Sequence, residues 1–298
     1  MTALARTFQV AFAEWTGALR SRRALVMLLL YLMAAVACMY GTISLFGKME
    51  KELAQVLQLP ESEQTGVVSK TLWKSKSFQK IARAVSNDDL VYEDIRGRHP
   101  IELVYAWFVF FCAPLLVVLV SGNRISDDLR SGAVRYAIVR CTRTEWSFGK
   151  YLGQALMLAC ALAASAVGAW FVALCRLSDA ASLLPAMFDW GARAWLYSLA
   201  WLGVALGVSH LTRTGSRATA LGIFAVFLLC AWPGVLQLVG SWRGLPWLAN
   251  FDVLSPASAK VLLWRRSFEP LLEAAVKLTT LGMLYLMIGN AVFRRRDA

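Results

Sequence analysis

Histidine is almost missing from this chain: His99 and His210 are the two it has in 298 residues. There is no HExxH, and no group of His, Cys and Asp at ligand spacing, which excludes the common zinc-enzyme signatures. No GxSxG is present, so no nucleophile elbow is encoded. A P-loop needs glycine five residues before its Gly-Lys. Those positions hold Thr42 before Gly47-Lys48 and Thr144 before Gly149-Lys150, so the chain binds no ATP in that way. The six cysteines (Cys38, Cys112, Cys141, Cys160, Cys175 and Cys230) contain no CxxC pair, and none falls between residues 47 and 101. Neither a metal site nor a disulfide framework is indicated, and the chain is not expected to be an enzyme or to bind a cofactor. Ionisable residues are also scarce inside the apolar runs. A proton-coupled transporter or ion pump needs carboxylates near mid-membrane, so any driving force must come from elsewhere. No internal repeat argues for a secondary transporter.

What the chain has is six long apolar segments, at 24–46, 104–122, 151–175, 192–211, 218–240 and 271–293. Each approaches or exceeds the roughly 20 residues that cross about 30 Å of hydrocarbon as a helix. They lack the polar stripe of a soluble core helix, and lipid-facing backbone must satisfy its own hydrogen bonds. Hydrophobic residues make up 58% of the chain, above the roughly 45–50% of soluble domains. The expected fold is therefore an all-α membrane protein with six spans.

The net charge of +12 would suit nucleic acid, but its distribution argues against that partner. Arg20, Arg22 and Arg23 precede the first span. Arg124, Arg130, Arg135, Arg140, Arg143 and Lys150 lie between the second and third. Arg213 and Arg217 lie between the fourth and fifth, and Arg294, Arg295 and Arg296 follow the sixth. With six alternating helices these all fall on one side, which predicts cytoplasmic termini in an inner membrane. The segment 47–101 mixes both signs and is placed outside as a small helical loop. Its apolar patches are Leu53, Val56 and Leu57, then Phe78, Ile81, Ala82 and Val85, separated by Pro60 and Gly66. Pro100 suits a helix start. The run Ala35-Val36-Ala37-Cys38 faintly resembles a lipoprotein signal, yet the apolar stretch continues to Phe46, so a retained span is expected.

Leu4, Phe8, Phe12, Trp15 and Leu19 recur at intervals of four, four, three and four. Residues 1–23 therefore predict an amphipathic helix lying in the membrane interface, with lipids as a partner. Two prolines interrupt spans. Pro114 should kink the second, and Pro233-Gly234 should break the fifth near its outer end, either structurally or as gating points. Gly203-Val204-Ala205-Leu206-Gly207 and Gly149-Lys150-Tyr151-Leu152-Gly153 permit close backbone approach. Trp107, Trp170, Trp190, Trp195, Trp242, Trp247 and Trp264 read as interfacial anchors. Arg193, and Glu273 with Lys277 one turn later, are the charged residues near span ends. Glu273 and Lys277 are expected to pair. They are either snorkelling interfacial groups or contacts for substrate or gating.

The loop 123–150 carries the most information. Ser126 with Asp127 and Asp128 forms a reasonable helix N-terminus. Ile125, Leu129 and Gly132 share one face, which Tyr136, Val139 and Arg143 continue. A short amphipathic helix clamped between two spans would act as a lever, and spacing alone does not distinguish it from an ordinary charged loop.

These residues resemble the membrane subunit of ABC-2 type transporters, the exporter-like ABC permeases. In that family the loop between the second and third spans has an acidic residue, then after three intervening residues a glycine, an apolar stretch, an arginine-containing turn and a lysine. Here Asp128, Gly132, Ile138-Val139, Arg143 and Lys150 take those places. The N-terminal helix is similar to the family's elbow helix. Leu254-Ser255-Pro256 and Phe293-Arg294-Arg295-Arg296-Asp297 resemble its motifs before and after the last span, so the similarity covers nearly the whole chain. The sequence departs in having Asp128 for glutamate and Ala133 for threonine, with no proline before Arg143.

The resemblance implies one transmembrane domain over 1–298, paired as a homodimer with a second permease subunit. Separate cytoplasmic ABC ATPase subunits would hold ATP and Mg. Asp127, Asp128, Leu129, Gly132, Tyr136 and Arg143 would couple to them. Pro114, Arg193, Glu273 and Lys277 are the candidate gating or substrate contacts. An amphipathic, peptidic or lipid-linked cargo suits the apolar spans. The alternative is a force-transmitting or assembly scaffold, since the long segment 47–101 looks most like members linked to multicopper-enzyme maturation or gliding machinery.

Overall fold

The computed structural model describes residues 2–57, 79–80, 83, 88–177, 180–243 and 245–295. Among them the regular structure is helical throughout. The elements are α1 (Ala3–Arg20), α2 (Arg22–Leu57), α3 (Asp89–Ile95), α4 (Pro100–Ser121), α5 (Arg124–Ser131), α6 (Ala133–Ile138), α7 (Arg143–Leu174), α8 (Leu183–Leu211), α9 (Gly215–Arg243), α10 (Lys260–Trp264) and α11 (Phe268–Arg295). Six helices are long and apolar enough to cross a membrane: α2, α4, α7, α8, α9 and α11, the first to sixth spans. The apolar patches expected at residues 53–57 and 78–85 lie outside the described side chains.

The second and fourth spans form the interior, whereas the first, fifth and sixth turn most of their surfaces outward. Helix contacts follow the small residues. A Cβ on Gly203 would collide with the backbone of Gly282, and one on Gly207 would lie 2.6 Å from the Tyr285 carbonyl oxygen. The fourth and sixth spans thus pack backbone to backbone, side by side and parallel. This is the close approach that small residues permit.

Several expectations are corrected. Pro233 does not end the fifth span: α9 runs unbroken from Gly215 to Arg243. The chain then folds back. Trp232 Nε1 donates to the Phe251 carbonyl at 3.0 Å, and Ser255 Oγ to the Leu229 carbonyl at 2.6 Å. Trp190 and Trp264 are not anchors. Both are buried, their ring centroids 5.0 Å apart, and both pack on Phe110. Lys277 does not pair with Glu273. It donates to Ser258 Oγ at 2.9 Å, tying the sixth span to the folded-back segment. Pro100 does open α4, behind His99 as N-cap.

Candidate functional site

Four pieces of chain meet at the basic end of the bundle: α1, the α5–α6 pair, the turn between the fourth and fifth spans, and the end of α11. The sequence reading placed one lever helix here. The structure divides it into two, because Gly132 adopts φ 74°, a left-handed conformation that glycine enters without a Cβ clash. The first half begins at Arg124, two residues before the expected start, with Asn123 at the N-cap.

The faces of the two halves differ, which corrects the single continuous face. Ile125 is fully buried and Leu129 packs on the main core. Beyond the Gly132 turn, Val134 is buried, but Tyr136 and Val139 are 82% and 85% exposed. Arg135 and Arg140 flank them, also exposed. Two large apolar side chains thus project from α6 and its C-cap, among basic residues.

The two aspartates point to different neighbours. Asp127 accepts from Asn123 Nδ2 and lies against Gly215, the first residue of the fifth span. A carboxylate there faces the positive end of the helix dipole. One residue earlier, the Ser126 amide donates to Ser209 Oγ of the fourth span at 3.0 Å. Asp128 instead turns to the third span, its Oδ2 2.6 Å from Lys150 Nζ.

Lys150 is the hub. It is nearly fully buried, and its ammonium also lies 2.6 Å from Glu14 Oε2 of α1. Gln154 donates to the other Glu14 oxygen at 2.7 Å, and Ser121 of the second span donates to Gln154 at 2.9 Å. Burial raises the Glu14 pKa, but the charges of Lys150 and Arg124 outweigh it and hold this carboxyl below its usual range.

The helix carrying Glu14 reaches Lys150 because Gly149 and Gly153 leave room. A Cβ at Gly149 would lie 2.5 Å from Val10 Cβ, and one at Gly153 2.6 Å from the Ala11 carbonyl oxygen. The second GxxxG therefore seats α1 against the third span. A second tie is Arg6 to Glu145 at 2.8 Å; Glu145 also closes a capping box with Thr142 at the start of α7. Leu4, Phe8 and Phe12 are exposed, whereas Trp15 turns inward beside Met157 and Ala24.

Arg143 is not on the surface of the α5–α6 pair. Its guanidinium donates to the Phe293 and Arg294 carbonyls at 3.3 and 3.2 Å, so it caps the end of α11. Nearby, Ser147 Oγ lies 2.9 Å from His210 Nε2 and donates to Asn290 Oδ1 at 3.3 Å, joining three spans in a fully buried polar knot.

The other candidates lie away from this end. Arg193 is buried and bonds Asp189, the Leu263 carbonyl at 2.8 Å and the Arg265 carbonyl at 2.6 Å. It anchors the fold-back before the sixth span. Pro114 is buried within α4 and Glu273 is exposed on α11.

Sequence reasoning missed the partnership of Glu14, Lys150 and Gln154. A signal existed: Lys150 and Gln154 stand one turn apart, each immediately following a glycine of the GxxxG pair. It missed His210, Ser147 and Asn290 because their association is entirely non-local. Buried ion pairs and hydrogen bonds join the first half of this two-part surface helix to the spans.

A search of curated proteins gives no match. The profile of the ABC-2 family transporter proteins matches residues 8–297, almost the entire chain. The chain therefore belongs to the ABC-2 family, the membrane components of ABC transporters.

Proposed function

We propose that this chain is a permease subunit driven by a separate ATPase that docks on α6. The observation that carries this reading is the exposed pair Tyr136 and Val139, flanked by Arg135 and Arg140, on and at the end of a short helix. That helix packs on the core through Val134 and follows α5, whose Ser126, Asp127 and Asp128 are tied to the spans. Large apolar side chains in a water-facing position suit a hot spot that a partner covers. The basic end faces the cytoplasm of an inner membrane by the distribution of arginine. Two permease subunits, expected to be identical, form the transmembrane dimer. ATP and Mg belong to the partner. Its closure moves α5–α6, and the spans rearrange around an amphipathic, peptidic or lipid-linked cargo.

The test is co-purification. Tagged chain expressed from its native locus should carry a stand-alone ABC ATPase, and Tyr136→Asp with Val139→Asp should remove it without loss of the folded permease. ATPase retained by the folded double variant would overturn the docking surface. ATPase binding without movement of any amphipathic cargo in reconstituted vesicles would favour force transmission to an external partner instead.

A further inference from the structure

The buried charges at the basic end contain an asymmetry that a merely structural knot would not need. Lys150 has two carboxylates, each at 2.6 Å. One, Glu14, is held on its far oxygen by Gln154, which Ser121 holds in turn. The other, Asp128, has a side chain one-third exposed, on the surface helix α5.

We propose that the Asp128–Lys150 pair is a latch that holds α5 docked and opens when the helix is moved, with Glu14 as the counter-ion that makes opening reversible. The inference rests on the reading of α5–α6 as the moving element. A buried lysine stripped of its only carboxylate is strongly disfavoured, so a two-member latch would resist opening. Here Lys150 keeps Glu14 when Asp128 leaves, and Asp128 departs towards water. The other end of the movement is fixed. Ser126 stays on Ser209 and Asp127 on Gly215, a pivot at the ends of the fourth and fifth spans. Gly132 supplies the bend beyond the latch.

The latch makes opposite predictions for the two carboxylates. Asp128→Asn removes the latch and should free α5. Glu14→Gln keeps the hydrogen-bonding shape but leaves Asp128 as the sole anion on Lys150, so the latch should tighten. A knot that only stabilises the fold predicts the same loss for both.

The experiment measures the distance between spin labels at the exposed positions Gln9 and Ser131, with the native cysteines replaced by alanine. In the purified permease alone, wild type and Glu14→Gln should give one short distance, and Asp128→Asn a longer or broadened one. Asp128→Glu should restore the short distance. In the complex with its ATPase, a non-hydrolysable nucleotide should lengthen the wild-type distance. Glu14→Gln should reduce that lengthening and lower ATP turnover several-fold. An unchanged distance in Asp128→Asn, or a Glu14→Gln variant that opens like Asp128→Asn, would overturn the latch. If no ATPase binds, the reading of α6 as a docking site fails, and the permease-alone distances still decide the latch.

Discussion

Gly289 of the sixth span lies against Gly207 of the fourth so closely that a Cβ on Gly289 would stand 2.5 Å from the Gly207 carbonyl oxygen. Backbone fills that space, not the tip of a side chain, and backbone cannot rotate away. Gly289→Leu should therefore force the two spans apart at a cost of about 1–3 kcal/mol or more. Gly17 of α1 is the control, because nothing lies within 4 Å of its Cβ position. There alanine should be neutral or stabilising by up to about 1 kcal/mol. Thermal unfolding in detergent distinguishes the two.

The Glu14 carboxyl predicts acid sensitivity. Its pKa is lower in the folded chain than in the unfolded one, so the unfolded state binds the extra proton as pH falls. Its stabilisation is fully present above the unfolded value of about 4.3 and is lost as pH drops through the folded value. The slope of melting temperature against pH below about 4.3 should therefore be smaller in Glu14→Gln than in wild type.

Arg143 gives a prediction about the last turns of α11. Arg143→Ala leaves the Phe293 and Arg294 carbonyls without their guanidinium donor. A charge-assisted hydrogen bond is worth about 1.5–3 kcal/mol, less where exposed. Hydrogen exchange over residues 289–295 should accelerate while the interior of the second and fourth spans stays protected.

Arg193 should tolerate little change. Arg193→Met leaves Asp189 and two carbonyls unpaired near the fold-back. Breaking a buried ionic group by removing one partner costs about 3–5 kcal/mol, and half-exposed Asp189 places this site towards the lower figure. Arg193→Lys should recover part of the loss, because one ammonium cannot reproduce the planar fork. Melting temperature ranks the three proteins.

The six spans were legible because lipid demands long uninterrupted apolar runs. All six apolar segments fall on the helices that the structure shows, with boundaries within a few residues for the second, fifth and sixth spans, while the first runs on well past its expected end and the third and fourth begin about two turns before their expected starts. The family was legible from the order of Asp128, Gly132, Arg143 and Lys150 and from the ending after Phe293. The pairing of Lys277 was not. One helical turn to Glu273 is favourable in isolation, but Ser258 arrives from a distant segment and takes the ammonium. Trp190 and Trp264 misled for a related reason: a tryptophan near a span end reads as an anchor unless another one 74 residues away packs against it. The Gly132 bend was equally hidden, since glycine in a short helix signals permission for a left-handed turn, not its use.

By itself the sequence determined the class of molecule, the number of crossings and the placement of arginine at one end, because each depends on composition summed along contiguous stretches. The tertiary structure decided what every charge does: Arg143 and Arg193 cap distant carbonyls, adjacent Asp127 and Asp128 serve different spans, and Lys150 stands between two carboxylates. A buried charge must find a partner in space, and which one it finds depends on how helices remote in sequence come to lie side by side.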